Sequence, residues 1–173
     1  MNTQRLTRNS LMLAVLIICS QITIPLPVVP ITMQTLIIGI LASWLPRRDA
    51  LLITGIYLVL GTVGLPVFAN FGAGPGVIIG PMGGYLFGFL AYIFMTGTLL
   101  QHLTQSTMNL MVANLIGAAL QLLIGSLWLA ITNHLSFLQA LLVGFVPFII
   151  PGIIKVYLIS LVTVHLKNII RTT

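Results

Sequence analysis

A single acidic residue, Asp49, stands among the 173 residues of this chain. One carboxylate cannot form an acid and base pair, and in the charged turn Arg47, Arg48, Asp49 it is predicted to cap the third helix, which removes it from any catalytic proposal. A single cysteine, Cys19, excludes a disulfide within the chain and a thiolate metal cluster, and reads as a small core residue. No His/Cys/Asp group has metal spacing and no phosphate-binding loop is present, so the residues indicate neither an enzyme nor a cofactor. His102 and His165 at helix ends and His134 in a loop read as surface histidines. Charged residues make up 5% of the chain, which excludes an ordinary soluble domain. Without an ATP site, uphill transport would need an ion gradient or an outside source of energy.

What is present is apolar, 58% of the residues. The pattern predicts one all-α integral membrane domain over 1–173, with six transmembrane helices near 10–24, 32–45, 50–63, 83–102, 107–131 and 137–165. The second and third fall short of the roughly 20 residues a span usually needs. Arg5 and Arg8 before an apolar run resemble a secretory signal, but Leu16, Ile17 and Ile18 supply no small residue for cleavage before Cys19, and the segment is kept as the first helix. An even number of spans puts both termini on one side. Arg5, Arg8, Arg47, Arg48, Lys167 and Arg171 all fall on that side, which the bias of basic loops makes the cytoplasm of a multi-pass cell-membrane protein.

Between the third and fourth helices lies GLPVFANFGAGPGVIIGPMGGY, residues 64–85, whose glycines and prolines predict a non-helical segment. It carries no charge, and Leu65, Val67, Phe68, Phe71, Val77, Ile78 and Ile79 need cover from water. Irregular backbone is tolerated at membrane depth only where it packs on protein or lines a cavity, so the segment is read as one side of a binding site.

The opposing element is Lys155. It lies twelve residues before Lys167, about 18 Å along a helix, which is near the middle of a bilayer. A lipid-facing lysine there costs about 2.5 to 3.5 kcal/mol or more, and no intramembrane acid is available to pair with it. Either a ligand anion compensates, or the amine donates to carbonyls freed by Pro147 and Pro151, or it snorkels to an interface. A carboxylate ligand suits the first reading. Further polar groups at membrane depth are Gln34, Asn70, Tyr85, Asn114, Gln121 and Tyr157, whose amides suit a ureido or amide group. Gln121 and Asn114 serve equally well as polar ties between helices.

Five segments, VPITMQTL (29–36), GLPVF (64–68), GPMGGYLFGF (80–89), GSLWLA (125–130) and PFIIPGIIK (147–155), resemble the BioY family, the biotin-binding S components of energy-coupling factor (ECF) transporters. The likeness covers nearly the whole chain in order. It implies biotin uptake, with biotin held near the outer surface beneath the loop between the first two helices. It also implies partners: a transmembrane coupling protein and two cytoplasmic ATPases. Position by position, it assigns Lys155 to the biotin end of the site and Gly80, Pro81, Gly83, Gly84 and Tyr85 to the signature loop. Ser10 and Ala14, a small-x-x-x-small pair on the first helix, are assigned to contact with the coupling protein. Two departures stand out. The family usually has an aspartate three residues before the lysine, as in PGDxxK, where this chain reads Pro151, Gly152, Ile153, Ile154, Lys155; and some members have an arginine where this chain has Leu86. Fewer charges leave open a biotin relative such as dethiobiotin, or another small carboxylate, as the substrate.

Overall fold

A computed structural model describes the backbone of residues 3–104 and 106–172 and side chains as far as Lys167. Among the described residues there are eight α-helices and one pair of short strands. They run α1 (Thr3–Ser20), β1 (Thr23–Ile24), β2 (Ile31–Thr32), α2 (Gln34–Trp44), α3 (Arg47–Val63), α4 (Pro75–Ile79), α5 (Gly83–His102), α6 (Thr107–Thr132), α7 (Phe137–Gly144) and α8 (Ile149–Thr172).

Proline and glycine set most of these boundaries. Pro25, Pro27 and Pro30 deny the chain a helix after α1, and the extended residues flanking them pair antiparallel, Thr23 with Thr32 and Ile24 with Ile31. Pro46 separates α2 from α3, and Gly64 ends α3 with a φ of 113°, a conformation that favours glycine. Near the C-terminus Pro147 and Pro151 divide the predicted sixth helix into α7, a 3₁₀ turn at Val146–Phe148, and α8.

Among the described residues, three stretches are long and apolar enough to cross a membrane: Gly83–His102, Thr107–Thr132 and Phe137–Lys167. With the shorter apolar α2 beside them, they make this a multi-pass membrane protein. The shortness of α2 has a packing cause. Its residues Ile37, Ile38, Gly39, Ile40, Leu41, Ala42 and Ser43 are all buried, and it is packed on α1, α3, α5 and α8. A helix enclosed by other helices need not match the thickness of the lipid.

Three sequence expectations change. The segment after Gly64 is not wholly non-helical, because Pro75, suited to a first helical turn, opens the short α4, and a 3₁₀ turn covers Ala69–Phe71. α1 begins at Thr3 rather than near residue 10, and α3 at Arg47 rather than Ala50. Asp49 does not cap α3, whose cap residue is Pro46 with no side-chain hydrogen bond. Instead it lies in the first turn, 1% exposed, and pairs with Arg5 and Arg8 of α1. That ion cluster ties the polar, exposed start of α1 to α3.

The basic residues gather at this end of the bundle. Arg47 lies over the Phe94 ring at 5.0 Å and bonds Thr98, and Lys167 donates to Ser43 O at 2.9 Å. Arg171 lies outside the described side chains. His102, His134 and His165 are exposed.

Candidate functional site

At the other end of the bundle a cavity of about 540 Å³, part of it open to solvent, lies between the α1–α2 hairpin, the irregular segment, α5, α6 and α8. Its polar groups are few: Thr32, Gln34, Thr35, Gln121 and Lys155. Phe68, Tyr85, Phe89 and Phe148 supply rings, and aliphatic side chains cover most of the rest. A second recess of about 370 Å³ continues toward Tyr92, Val156 and Ile159, and shares Thr35, Gln121, Leu122, Phe148 and Lys155 with the first. The lysine and the glutamine therefore stand where the two spaces meet. A mostly apolar cavity with few convergent polar groups has the general character of a small-molecule site.

The irregular segment contributes Phe68, Ala69 and Val77 to the lining, and neighbouring helices hold it rigidly. Val67 O accepts from Ser20 Oγ at 2.6 Å and from Tyr57 Oη at 3.0 Å. Gln21 donates to Phe68 O and accepts from the Phe71 N–H, at 3.1 and 2.8 Å. In this way α1 and α3 satisfy backbone groups that a strand or helix would have paired internally.

Lys155 resolves differently from its structural alternatives. Its ammonium donates to Thr32 O at 2.6 Å and Thr35 Oγ1 at 2.8 Å, not to carbonyls freed by Pro147 or Pro151. Both acceptors are neutral, and no acid pairs with it among the described residues. The amine is thus hydrogen-bonded, with its charge uncompensated, at the edge of an apolar cavity.

The two buried amides of α6 part company. Asn114 accepts from Tyr92 Oη at 3.0 Å and donates to Ser43 Oγ and Leu110 O, each at 2.8 Å, so it ties α2, α5 and α6 together. Gln121 lies seven residues on, 3% exposed and lining the cavity. Its amide makes no hydrogen bond among the described residues. Gln34 also lines the cavity, but its amide is engaged: it accepts from Thr32 Oγ1 at 2.8 Å and donates to Tyr57 Oη.

Tyr85 presents its ring to the cavity while its hydroxyl donates to Gly144 O at 2.9 Å, which fixes α7 against α5. The ring lies 6.2 Å from that of Phe148 at 34°. Gly83 and Gly84 do not line the cavity. They are buried in the first turn of α5 beside Trp128, and a Cβ at Gly84 would run into the Trp128 side chain, whose indole donates to Gly80 O at 3.0 Å. Asn70 is exposed, in a left-handed conformation at φ 54°, and accepts from the Thr23 hydroxyl. Tyr157 is exposed. Ser10 and Ala14 are exposed on the outer face of α1, far along that helix from Ser20 and Gln21.

Sequence reasoning missed Thr32 and Thr35 as partners of the lysine, and Phe148 as the ring between the two spaces. The threonines lie within the VPITMQTL stretch, and a hydroxyl beside a helix start reads first as a cap. For Phe148 the signal was its place between Pro147 and Pro151, where a broken helix turns a side chain inward.

Comparison with known proteins identifies the family. The chain is 35% identical over 156 residues, 90% of its length and 86% of the relative's, to the biotin transporter BioY2 of Lactococcus lactis subsp. cremoris (strain MG1363). It is 34% identical over 166 residues, 96% of its length and 97% of the relative's, to the biotin transporter BioY of Thermotoga maritima. The crystal structure of an S component for biotin from an ECF-type ABC transporter superposes with a TM-score of 0.90 at 27% identity, covering 97% of this chain and 95% of that one. The model of the BioY family matches residues 1–172, and this chain belongs to that family.

Proposed function

We propose that this chain is the biotin-capturing S component of an ECF transporter and carries out biotin uptake. It is not an enzyme. The observation that carries the reading is that an acid-free ammonium, Lys155, and an unengaged amide, Gln121, line one largely apolar cavity. Biotin joins a carboxylate to a ureido ring through an aliphatic chain. The ammonium suits the carboxylate, the amide suits the ureido group, and the rings of Tyr85 and Phe148 with their aliphatic neighbours suit the remainder.

The chain lies in the cell membrane with both termini cytoplasmic. The gathering of Arg5, Arg8, Arg47 and Lys167 at the end away from the cavity supports this orientation. Energy comes from a transmembrane coupling protein and two cytoplasmic ATPases. The exposed Ser10 and Ala14 on α1 support a close helix contact with the coupling protein.

The test is equilibrium binding of labelled biotin to the purified chain, with dethiobiotin, lipoate and thiamine as competitors. Saturable binding that biotin displaces best is expected. No binding, or stronger displacement by lipoate or thiamine, would overturn the reading. For the partners, replacing Ala14 by Leu should lower uptake in cells while leaving biotin binding by the purified chain intact; unchanged uptake removes α1 from that contact.

A further inference from the structure

The ion cluster at the basic end has more donors than its one acid can use. Asp49 accepts from Arg5 Nε at 2.9 and 3.0 Å, from Arg5 Nη2, and from Arg8 Nη2 at 2.8 Å. Two guanidiniums offer about ten N–H donors between them, and the carboxylate's two oxygens answer only a few. Arg8 Nε is buried with no partner among the described residues, and Arg8 Nη2 reaches only Asn9 Oδ1 besides, at 3.4 Å.

Beside this cluster lies Arg48, exposed and making no hydrogen bond, ion pair or ring contact among the described residues. Gln4, Arg5, Arg8, Pro46, Arg48 and Asp49 together line an open cleft of about 960 Å³. Three guanidinium charges against one carboxylate leave the cleft with a surplus of two positive charges. Among the described residues, Arg47 is engaged on Phe94 and Thr98 and Lys167 on Ser43, whereas the donors of Arg48 are not.

We infer that the cleft binds a phosphate group, supplied by an anionic phospholipid headgroup or by free phosphate. Planar guanidiniums match phosphate oxygens in pairs. The cleft lies between the polar starts of α1 and α3, and basic residues near a membrane surface attract anionic lipid. Asp49 keeps Arg5 and Arg8 extended toward the cleft, and Arg48 is the residue free to close on the anion.

The test compares the melting temperature of the full chain in nanodiscs of phosphatidylcholine alone, of phosphatidylcholine with phosphatidylglycerol, and of phosphatidylcholine with millimolar inorganic phosphate. A stabilisation by phosphatidylglycerol that falls as salt rises marks the lipid as the source; one by inorganic phosphate in the neutral lipid marks the free anion. Arg48→Gln, which leaves the Asp49 pairs in place, should weaken the apparent affinity for the effective anion about fivefold, the equivalent of about 1 kcal/mol per basic residue near the surface. Because Arg5→Gln disturbs the ion cluster itself, native mass spectrometry of lipid retained by Arg48→Gln and by the unaltered chain is the second measurement. Equal stability in all three conditions would overturn the inference, and so would stabilisation by phosphatidylglycerol alone with equal retention of that lipid by the two proteins.

Discussion

Arg5 and Arg8 share the carboxylate of Asp49 at one end of the bundle, whereas Lys155, toward the other, has only a backbone carbonyl and a threonine hydroxyl. The first arrangement sets a counter-charge against both cations within the fold and stabilises it. The second satisfies hydrogen bonds but leaves the charge unanswered, in a cavity where a guest carboxylate would meet little competition from water. The two ends teach that a lysine's hydrogen bonds and its charge are separate requirements, and that meeting only the former leaves the group available for binding.

The comparison can be broken at either end. The largest effect is expected from Asp49→Asn, which leaves two guanidiniums facing each other without a counter-charge. The yield of folded protein on size exclusion and the melting temperature should both fall, while the protein that does fold binds biotin normally. An unchanged melting temperature would mean that solvent serves the arginines as well as the acid does. Lys155→Met should do the converse. Biotin affinity drops by about 1.5 to 3 kcal/mol, or about 10- to 150-fold, for loss of a charge-assisted hydrogen bond, with little change in melting. Calorimetry showing undiminished affinity would take the amine out of the site.

The amides of α6 sharpen the same contrast on neutral groups. Asn114→Leu removes three helix-to-helix or local bonds and should cost about 1 to 2 kcal/mol of stability, read by detergent unfolding, with affinity for biotin kept among folded molecules. Gln121→Leu should leave unfolding unchanged and weaken biotin by about 0.5 to 1.5 kcal/mol, about two- to tenfold. If both variants lose stability equally, Gln121 is a tie between helices like its neighbour.

Much of this was legible from residues alone, for reasons of chemistry. A lone cation far inside an apolar run and a glycine-rich stretch without charge each break the rules of a membrane helix, so each stands out, and the structure brings Lys155 and the side chains of Phe68, Ala69 and Val77 to one cavity. What sequence could not give was choice of partner. Asp49 finds Arg5 and Arg8 more than forty residues away, and nothing local distinguishes that from a cap. Asn114 and Gln121 have the same functional group on the same helix; only their surroundings separate them. Gly83 and Gly84 recur in a signature, yet their place against Trp128 reflects close packing of α5 on α6, a role that spacing alone leaves unresolved.

The hold of α1 on the segment beyond Gly64 has a mechanical consequence. Ser20 and Gln21 grip the backbone at Val67, Phe68 and Phe71, and the exposed Ser10 lies ten residues back along the same helix, about 15 Å away. α1 is a lever with its handle on the outside of the bundle and its jaw on the cavity lining. A neighbour that tilts the handle pulls, through Gln21, on the backbone of Phe68 in the cavity wall, and so acts on the chamber without entering it.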